Sequence, residues 1–111
     1  MNITFETKSD FTVVSISGRI DATNSNDFES ELIRIFEDDR FNLLINCAGL
    51  HYISSSGLRI FLMAQKRVIA AQGHLTICCM QTMIREIFDI SGFSTIFKIY
   101  GTEEEALQQT K

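Results

Sequence analysis

Apolar positions along this chain recur at two different periods, and the switches between them mark out its elements. Residues 2–6 and 11–17 are rich in β-branched and aromatic side chains. The polar stretch TKSD between them reads as the turn of a hairpin. From about 24 to 38 the pattern changes: Phe28, Leu32, Ile35 and Phe36 fall at steps of four and three. That spacing predicts an amphipathic helix, with Asn24 or Ser25 as its N-cap. Residues 41–47 form a short apolar run ending toward Ala48 and Gly49, the pattern of a buried parallel strand. A second helix is predicted over about 56–72, with Leu58, Phe61, Leu62, Val68 and Ile69 on one face and Gly73 as its stop. Residues 74–79 read as another strand. Ile84, Ile87 and Phe88 mark a short helix that ends near Ser91 and Gly92, and 94–99 reads as a further strand. Thr102 and Glu105 then form a capping box, and the acids Glu103 to Glu105 suit the positive end of a last helix.

Strands alternating with helices after an initial hairpin give the order β, β, α, β, α, β, α, β, α. The expected fold class is therefore α/β: a mostly parallel sheet of about five strands with an antiparallel N-terminal strand, right-handed crossovers and about four helices. The whole chain, residues 1–111, is expected to form a single domain. Sites on such sheets gather beyond the carboxyl ends of the strands. Two loops are expected there, Gly18 to Asp21 and Ala48 to Ser55. If their strands are neighbours, Asp21 and the serines share one edge.

Composition narrows the function classes. Hydrophobic residues make up 45% and charged residues 22%, which is ordinary globular usage. The net charge of -4 supplies no positive field for a phosphate backbone, so nucleic acid is not an expected partner. No apolar run approaches the roughly 20 residues that span a bilayer, and the first residues lack a signal-peptide pattern. A cytoplasmic protein without membrane insertion is expected. The three cysteines, Cys47, Cys78 and Cys79, are odd in number and two are adjacent, so reduced thiols are expected, with Cys78 and Cys79 pointing to opposite faces of a strand.

The stretch Ser54, Ser55, Ser56, Gly57 carries more hydroxyls than a helix start requires, because one cap needs one serine. The structural alternative is that the serines only cap. The functional one is that a hydroxyl accepts a phosphate, which would add about -1.5 to -2 charges at a helix N-terminus, where anions are favoured. Competing chemistries fit poorly. Cys79 and Arg85 have the spacing of a cysteine phosphatase loop, but no glycine lies between them to let the backbone wrap a phosphate. Ile53 stands where a serine-hydrolase elbow around Ser55 needs glycine, and His51 is too close in sequence to serve as its base. His51, His74 and the cysteines lack zinc-ligand spacing. No catalytic residue, metal site or cofactor is expected.

The segments GRIDATNSNDFESEL, LHYISSSGLR, IREIFDISGF and EEEAL, in that order and spacing, resemble the STAS-domain anti-sigma factor antagonists of bacteria. The resemblance runs over essentially the whole chain and implies a STAS-type fold. It also implies a partner-switching protein that is not an enzyme. In that family the unphosphorylated form binds an anti-sigma factor that is a serine kinase and so frees a sigma factor. Phosphorylation switches binding off, and a PP2C-type phosphatase reverses it. The family's phosphorylated serine matches Ser55. Ser54 stands where many members have aspartate, Ser56 and Gly57 complete the loop, and Asp21 matches the acid that the family places beside the serine. The partner surface implied is the serine loop with the solvent face of the following helix, Arg59, Met63 and Lys66. The alternative is a STAS module outside sigma control, in a lipid-transport, transporter-regulating or stressosome-like complex, since a fold does not set a function.

Overall fold

A computed structural model describes residues 1–109. Among these, the β-branched and aromatic runs form one sheet of β1 (Asn2–Lys8), β2 (Phe11–Ile20), β3 (Asn42–Ile53), β4 (His74–Cys78) and β5 (Lys98–Tyr100). The strands lie side by side in chain order, β1 antiparallel to β2 and every other neighbour pair parallel. Between and after them run α1 (Ser25–Glu37), α2 (Ser55–Ala70), α3 (Thr82–Ile90) and α4 (Glu103–Gln109). The α/β class, the antiparallel first strand and the parallel remainder are as the sequence predicts.

Successive strand residues face opposite sides of a sheet, so each strand feeds two cores. Val14, Ile45 and Ile77 meet Phe28, Phe61 and Phe88 of α1, α2 and α3 on one side. Val13, Leu44 and Cys78 meet Ala106 of α4 on the other. Helix α4 is short, and a polar triangle helps to hold it. Glu103 accepts from Lys8 Nζ at 2.5 Å and from Asn46 Nδ2 at 3.0 Å, tying α4 to β1 and β3. One half of the predicted capping box forms, Thr102 Oγ1 accepting from Glu105 N at 3.1 Å, while Glu105 Oε1 reaches one residue further back and accepts from Gly101 N at 3.2 Å.

The Lys8 and Asn46 bonds hold the Glu103 carboxyl below its ordinary value of 4.5. A lowered folded-state value means stability that is complete above the unfolded value and is lost as pH falls through the folded one. Glu103→Gln is therefore expected to unfold earlier than the parent in urea at pH 7 and to converge with it as pH drops below about 4, the range in which a carboxylate titrates. Urea midpoints at stepped pH check this, and a gap that persists at low pH would exclude the carboxylate as its source.

Four local readings are corrected by the structure. Gly18 does not end β2. It takes φ 92 inside the strand, where the parallel ladder to β3 is irregular and continues through Arg19↔Tyr52 and Ile20↔Ile53. From Ser15↔Asn46 to Ser17↔Gly49, β2 advances two residues and β3 three, a bulge on β3. Gly18 to Ile20 and Ala48 to Ile53 thus lie within β2 and β3 rather than in loops. Second, residues 94–99 are not one strand. Gly92 at φ 80 turns the chain, Phe93–Thr95 form a 3-10 turn, and only Lys98–Tyr100 pair with β4. Phe93 and Phe97 stack into the aromatic cluster around Phe88, which outweighs the β propensity of the intervening residues.

Third, α2 buries Gly57, Ile60, Phe61, Ala64 and Val68, whereas Ile69 is 63% exposed. Its turn ends with Gln72 at φ 61, not with Gly73 in a left-handed conformation. Gly73 is required for a different reason: a Cβ there would lie 2.1 Å from the carbonyl oxygen of Phe41. Fourth, Cys79 leaves the strand at φ 64, so Cys78 and Cys79 both pack against the α4 core instead of facing opposite ways. All three cysteines are unpaired thiols; burial pushes Cys47 up to about 12 and also raises Cys78, so neither is a ready nucleophile.

Candidate functional site

The serine triplet sits at the junction of β3 and α2. The backbone N–H of Ser54 donates to Ile20 O at 2.9 Å, the last rung joining the ends of β2 and β3. Ser54 then turns the chain (φ -86, ψ 171) and caps α2, its Oγ accepting from Gly57 N at 3.2 Å. Its hydroxyl also lies 2.8 Å from Ser56 Oγ. Gly57 lets the first turn press on the sheet, because a Cβ there would come within 2.8 Å of both Ile20 Cγ2 and Ile53 Cγ1. The three hydroxyls therefore have different surroundings. Ser54 and Ser56 are half-buried and paired, whereas Ser55 is exposed and its hydroxyl has no hydrogen-bond partner among the described residues.

Asp21 begins the loop that faces this junction. It follows Ile20, the acceptor of the Ser54 amide, so its chain position is one residue from that bond just as Ser55 is on the other side. Its Oδ1 accepts from Thr23 Oγ1 at 2.6 Å and from Thr23 N at 3.0 Å. Asn24 closes the loop, accepting from Asp21 N at 2.9 Å and donating to Arg19 O at 2.9 Å. Asn24 is the N-cap of α1 by position only, since its side chain is spent on this loop. The two Thr23 bonds, with a smaller contribution from Arg19, hold the Asp21 carboxyl below its ordinary value, so it is a fixed negative charge at neutral pH.

The α2 residues Arg59, Met63 and Lys66 lie at steps of four and three, on one stripe leading away from Ser55. Arg59 and Lys66 are exposed and make no ion pair among the described residues, while Met63 packs partly on the core. Arg67 belongs to a different neighbourhood, its guanidinium 5.3 Å from the Phe36 ring centroid on α1. Arg85 pairs with Asp89 at 3.1 Å, and His51 Nδ1 lies 3.3 Å from Gln81 Nε2, which also donates to Ala48 O. Two clefts of about 300 Å³ lie elsewhere, one between β1 and α1 and one on the open sheet face. Neither cleft is lined by Ser54, Ser55, Ser56 or Asp21.

Sequence reasoning missed a pair beside this surface. Arg19 lies 4.4 Å over the ring of Tyr52 and 3.9 Å from Asp21 Oδ2. The two residues are cross-strand partners, a relation visible only once Gly18 is read as strand. It also missed the exposed apolar residues Met83 and Ile90 of α3, seven apart and so on one side of the helix.

A family model for the STAS domain matches residues 2–106. The chain belongs to the STAS family. BtrV of Bordetella bronchiseptica, provisionally named an anti-sigma factor antagonist, is 30% identical over 96% of this chain and 91% of its own. A Thermotoga maritima protein with a similar provisional name superposes with a TM-score of 0.92 at 14% identity, over 96% of this chain and 92% of that one. The Bacillus cell fate determinant SpoIIAA, solved in its phosphorylated form, superposes at 0.77 with 20% identity over 99% and 100% of the two chains. At such identities the solved structures show the STAS fold alone.

Proposed function

We propose that this STAS chain is an anti-sigma factor antagonist switched by phosphorylation of Ser55. STAS anti-sigma factor antagonists are regulatory binding proteins, not enzymes. On this reading the unphosphorylated chain, in the cytoplasm, binds an anti-sigma factor that is itself a serine kinase, and a sigma factor is released. Transfer of a phosphoryl group to Ser55 ends the binding, and a PP2C-type phosphatase restores it. The observation that carries the reading is Ser55 itself, the exposed and unpartnered hydroxyl at the first position of α2. The name of the Bordetella relative and the phosphorylated state of the Bacillus one support it.

Charge supplies the mechanism. Arg59 and Lys66 are free to attract an acidic partner surface, with Met63 between them as an adaptable apolar contact. A phosphate on Ser55 would lie one helical turn from Arg59, cancel its field and set a dianion beside the fixed charge of Asp21. Loss of binding then requires no refolding.

Phosphosite mapping by mass spectrometry on the protein from its own cells, in stressed and unstressed growth, tests the proposal. Phosphate on Ser55 whose occupancy changes between conditions is the expected result. An unmodified Ser55 in every condition, with stable co-purification of a membrane transport complex, would replace sigma control with the transporter-regulating alternative.

A further inference from the structure

Three adjacent hydroxyls at one helix start pose a problem of choice that the proposed switch does not answer by itself. A kinase that reaches Ser55 also reaches its neighbours, because residues at the first turn lie within a few ångströms of one another. Phosphate on Ser56 would sit on a half-buried position, next in the chain to Gly57, which itself has no room for a methyl group against Ile20 and Ile53.

We infer that the Ser54–Ser56 hydroxyl pair directs phosphoryl transfer to Ser55, with Ser54 as the positioning residue. The inference rests on the proposed function and deepens it. In the transfer, the acceptor Oγ attacks the γ-phosphorus of a nucleoside triphosphate held by the kinase. The new O–P bond forms as the bond to the β–γ bridging oxygen breaks, the nucleoside diphosphate leaves, and the hydroxyl proton passes to a base on the kinase. An acceptor must therefore offer a free lone pair in line with the phosphorus and a proton within reach of that base.

Ser56 does not offer both freely: as donor to Ser54 its proton is engaged, and as acceptor one of its lone pairs is. One hydroxyl proton lies between Ser56 Oγ and Ser54 Oγ, 2.8 Å apart, whichever of the two donates it. Ser54 cannot turn away, because the same oxygen accepts from Gly57 N at 3.2 Å and its backbone is pinned to Ile20 O at 2.9 Å. Ser54 is itself disfavoured as acceptor, because its oxygen holds both the Gly57 amide and the Ser56 hydroxyl. Ser55, at the first helical position between them, points no polar atom at the protein and is free to rotate into the kinase. The pair thus sets a protecting group on each side of the target. An aspartate at position 54 would do the same work, accepting from both Gly57 N and the Ser56 hydroxyl.

The test compares Ser55→Ala, Ser54→Ala with Ser55→Ala, and Ser54→Asp with Ser55→Ala, each expressed in the organism's own cells under conditions in which the parent is phosphorylated. Phosphates are mapped by mass spectrometry, and circular dichroism shows which variants are folded. Ser55→Ala is expected to carry no phosphate, the Ser54→Ala double variant to gain it on Ser56, and the Ser54→Asp double variant to lose it again. Phosphate on Ser56 in Ser55→Ala alone would overturn the inference, as would none on Ser56 in the folded Ser54→Ala double variant, which would assign the selectivity to burial. If Ser54→Ala prevents folding, Ser56 phosphate in the Ser54→Asp double variant overturns it instead. In each of these cases phosphorylation of Ser55 in the parent leaves the proposed function standing; a parent unphosphorylated on every serine would remove both.

Discussion

Phe61→Ala is expected to cost about 3 to 5 kcal/mol of folding stability, the range for emptying a fully buried aromatic site. Phe61 has no exposed surface and lies where three helices meet on the sheet. Its ring centroid is 5.5 Å from that of Phe28 on α1, 5.5 Å from Phe88 on α3 and 6.3 Å from Phe97 before β5, the last two edge-on. Truncation removes three aromatic contacts together, and α2 is the element that binds α1 to α3, so no single neighbour can collapse into the space. Against a total of about 5 to 15 kcal/mol for a domain of this kind, the loss is a large fraction. Urea unfolding followed by circular dichroism measures it. The informative control is Ile69→Ala, which the exposed position predicts to lie within about 0.5 kcal/mol of the parent. Equal losses for the two variants would restore the apolar face read from sequence and refute the packing described here.

The contrast between Phe61 and Ile69 shows where sequence patterning stops. Both fit a helical period of apolar residues, and only tertiary packing decides that the buried stripe runs through Gly57, Ile60, Phe61, Ala64 and Val68. The steeper pattern of α1 left no such choice, and Phe28, Leu32, Ile35 and Phe36 are all buried as its spacing predicts. Glycines were the other source of error. Gly18 and Gly73 read as a break and a stop, whereas the first kinks a continuing strand and the second clears a carbonyl oxygen. Local sequence reports that glycine is needed, not whether for φ or for space. Reading Gly18 as a break hid the Arg19 and Tyr52 pair.

At the site, the residue types and their order were legible because caps and acidic loop positions have local chemistry. The structure brings the Asp21 loop and the serines to one edge, as adjacency of β2 and β3 requires. The resemblance singled out Ser55, but residue types alone left open which of Ser54 and Ser56 caps the helix; Ser54 does, accepting from Gly57 N. Ser54 and Ser56 differ from Ser55 by their mutual hydrogen bond at 2.8 Å, Ser54 also by the one from Gly57 N, and both by burial; none of this follows from three identical letters.

Phosphorylation of Ser55 is expected to weaken anti-sigma factor binding by about a hundredfold, which corresponds to about 2.7 kcal/mol of lost attraction and new repulsion. Ser55→Ala should remain folded and bind like the unphosphorylated parent, because its hydroxyl makes no bond to the protein that alanine would break. Ser55→Asp should fall between them at about tenfold, since it carries one charge where phosphate carries about two and has fewer acceptor oxygens. Ser55→Asn separates charge from bulk: it has the size of aspartate and should bind within about threefold of the alanine variant, as a neutral exposed substitution does. Titration calorimetry against the purified anti-sigma factor gives all five affinities, those of the two parent forms and the three variants. The gap between the aspartate and asparagine variants should shrink as salt rises from about 0.05 to 0.5 M, because the charges near Ser55 are exposed and screened. Asparagine as damaging as aspartate, with a gap indifferent to salt, would make the switch one of shape. The unpaired Arg59 and Lys66 would then need another purpose. Equal binding by the phosphorylated and unphosphorylated parent would end the case for Ser55 as a switch at all.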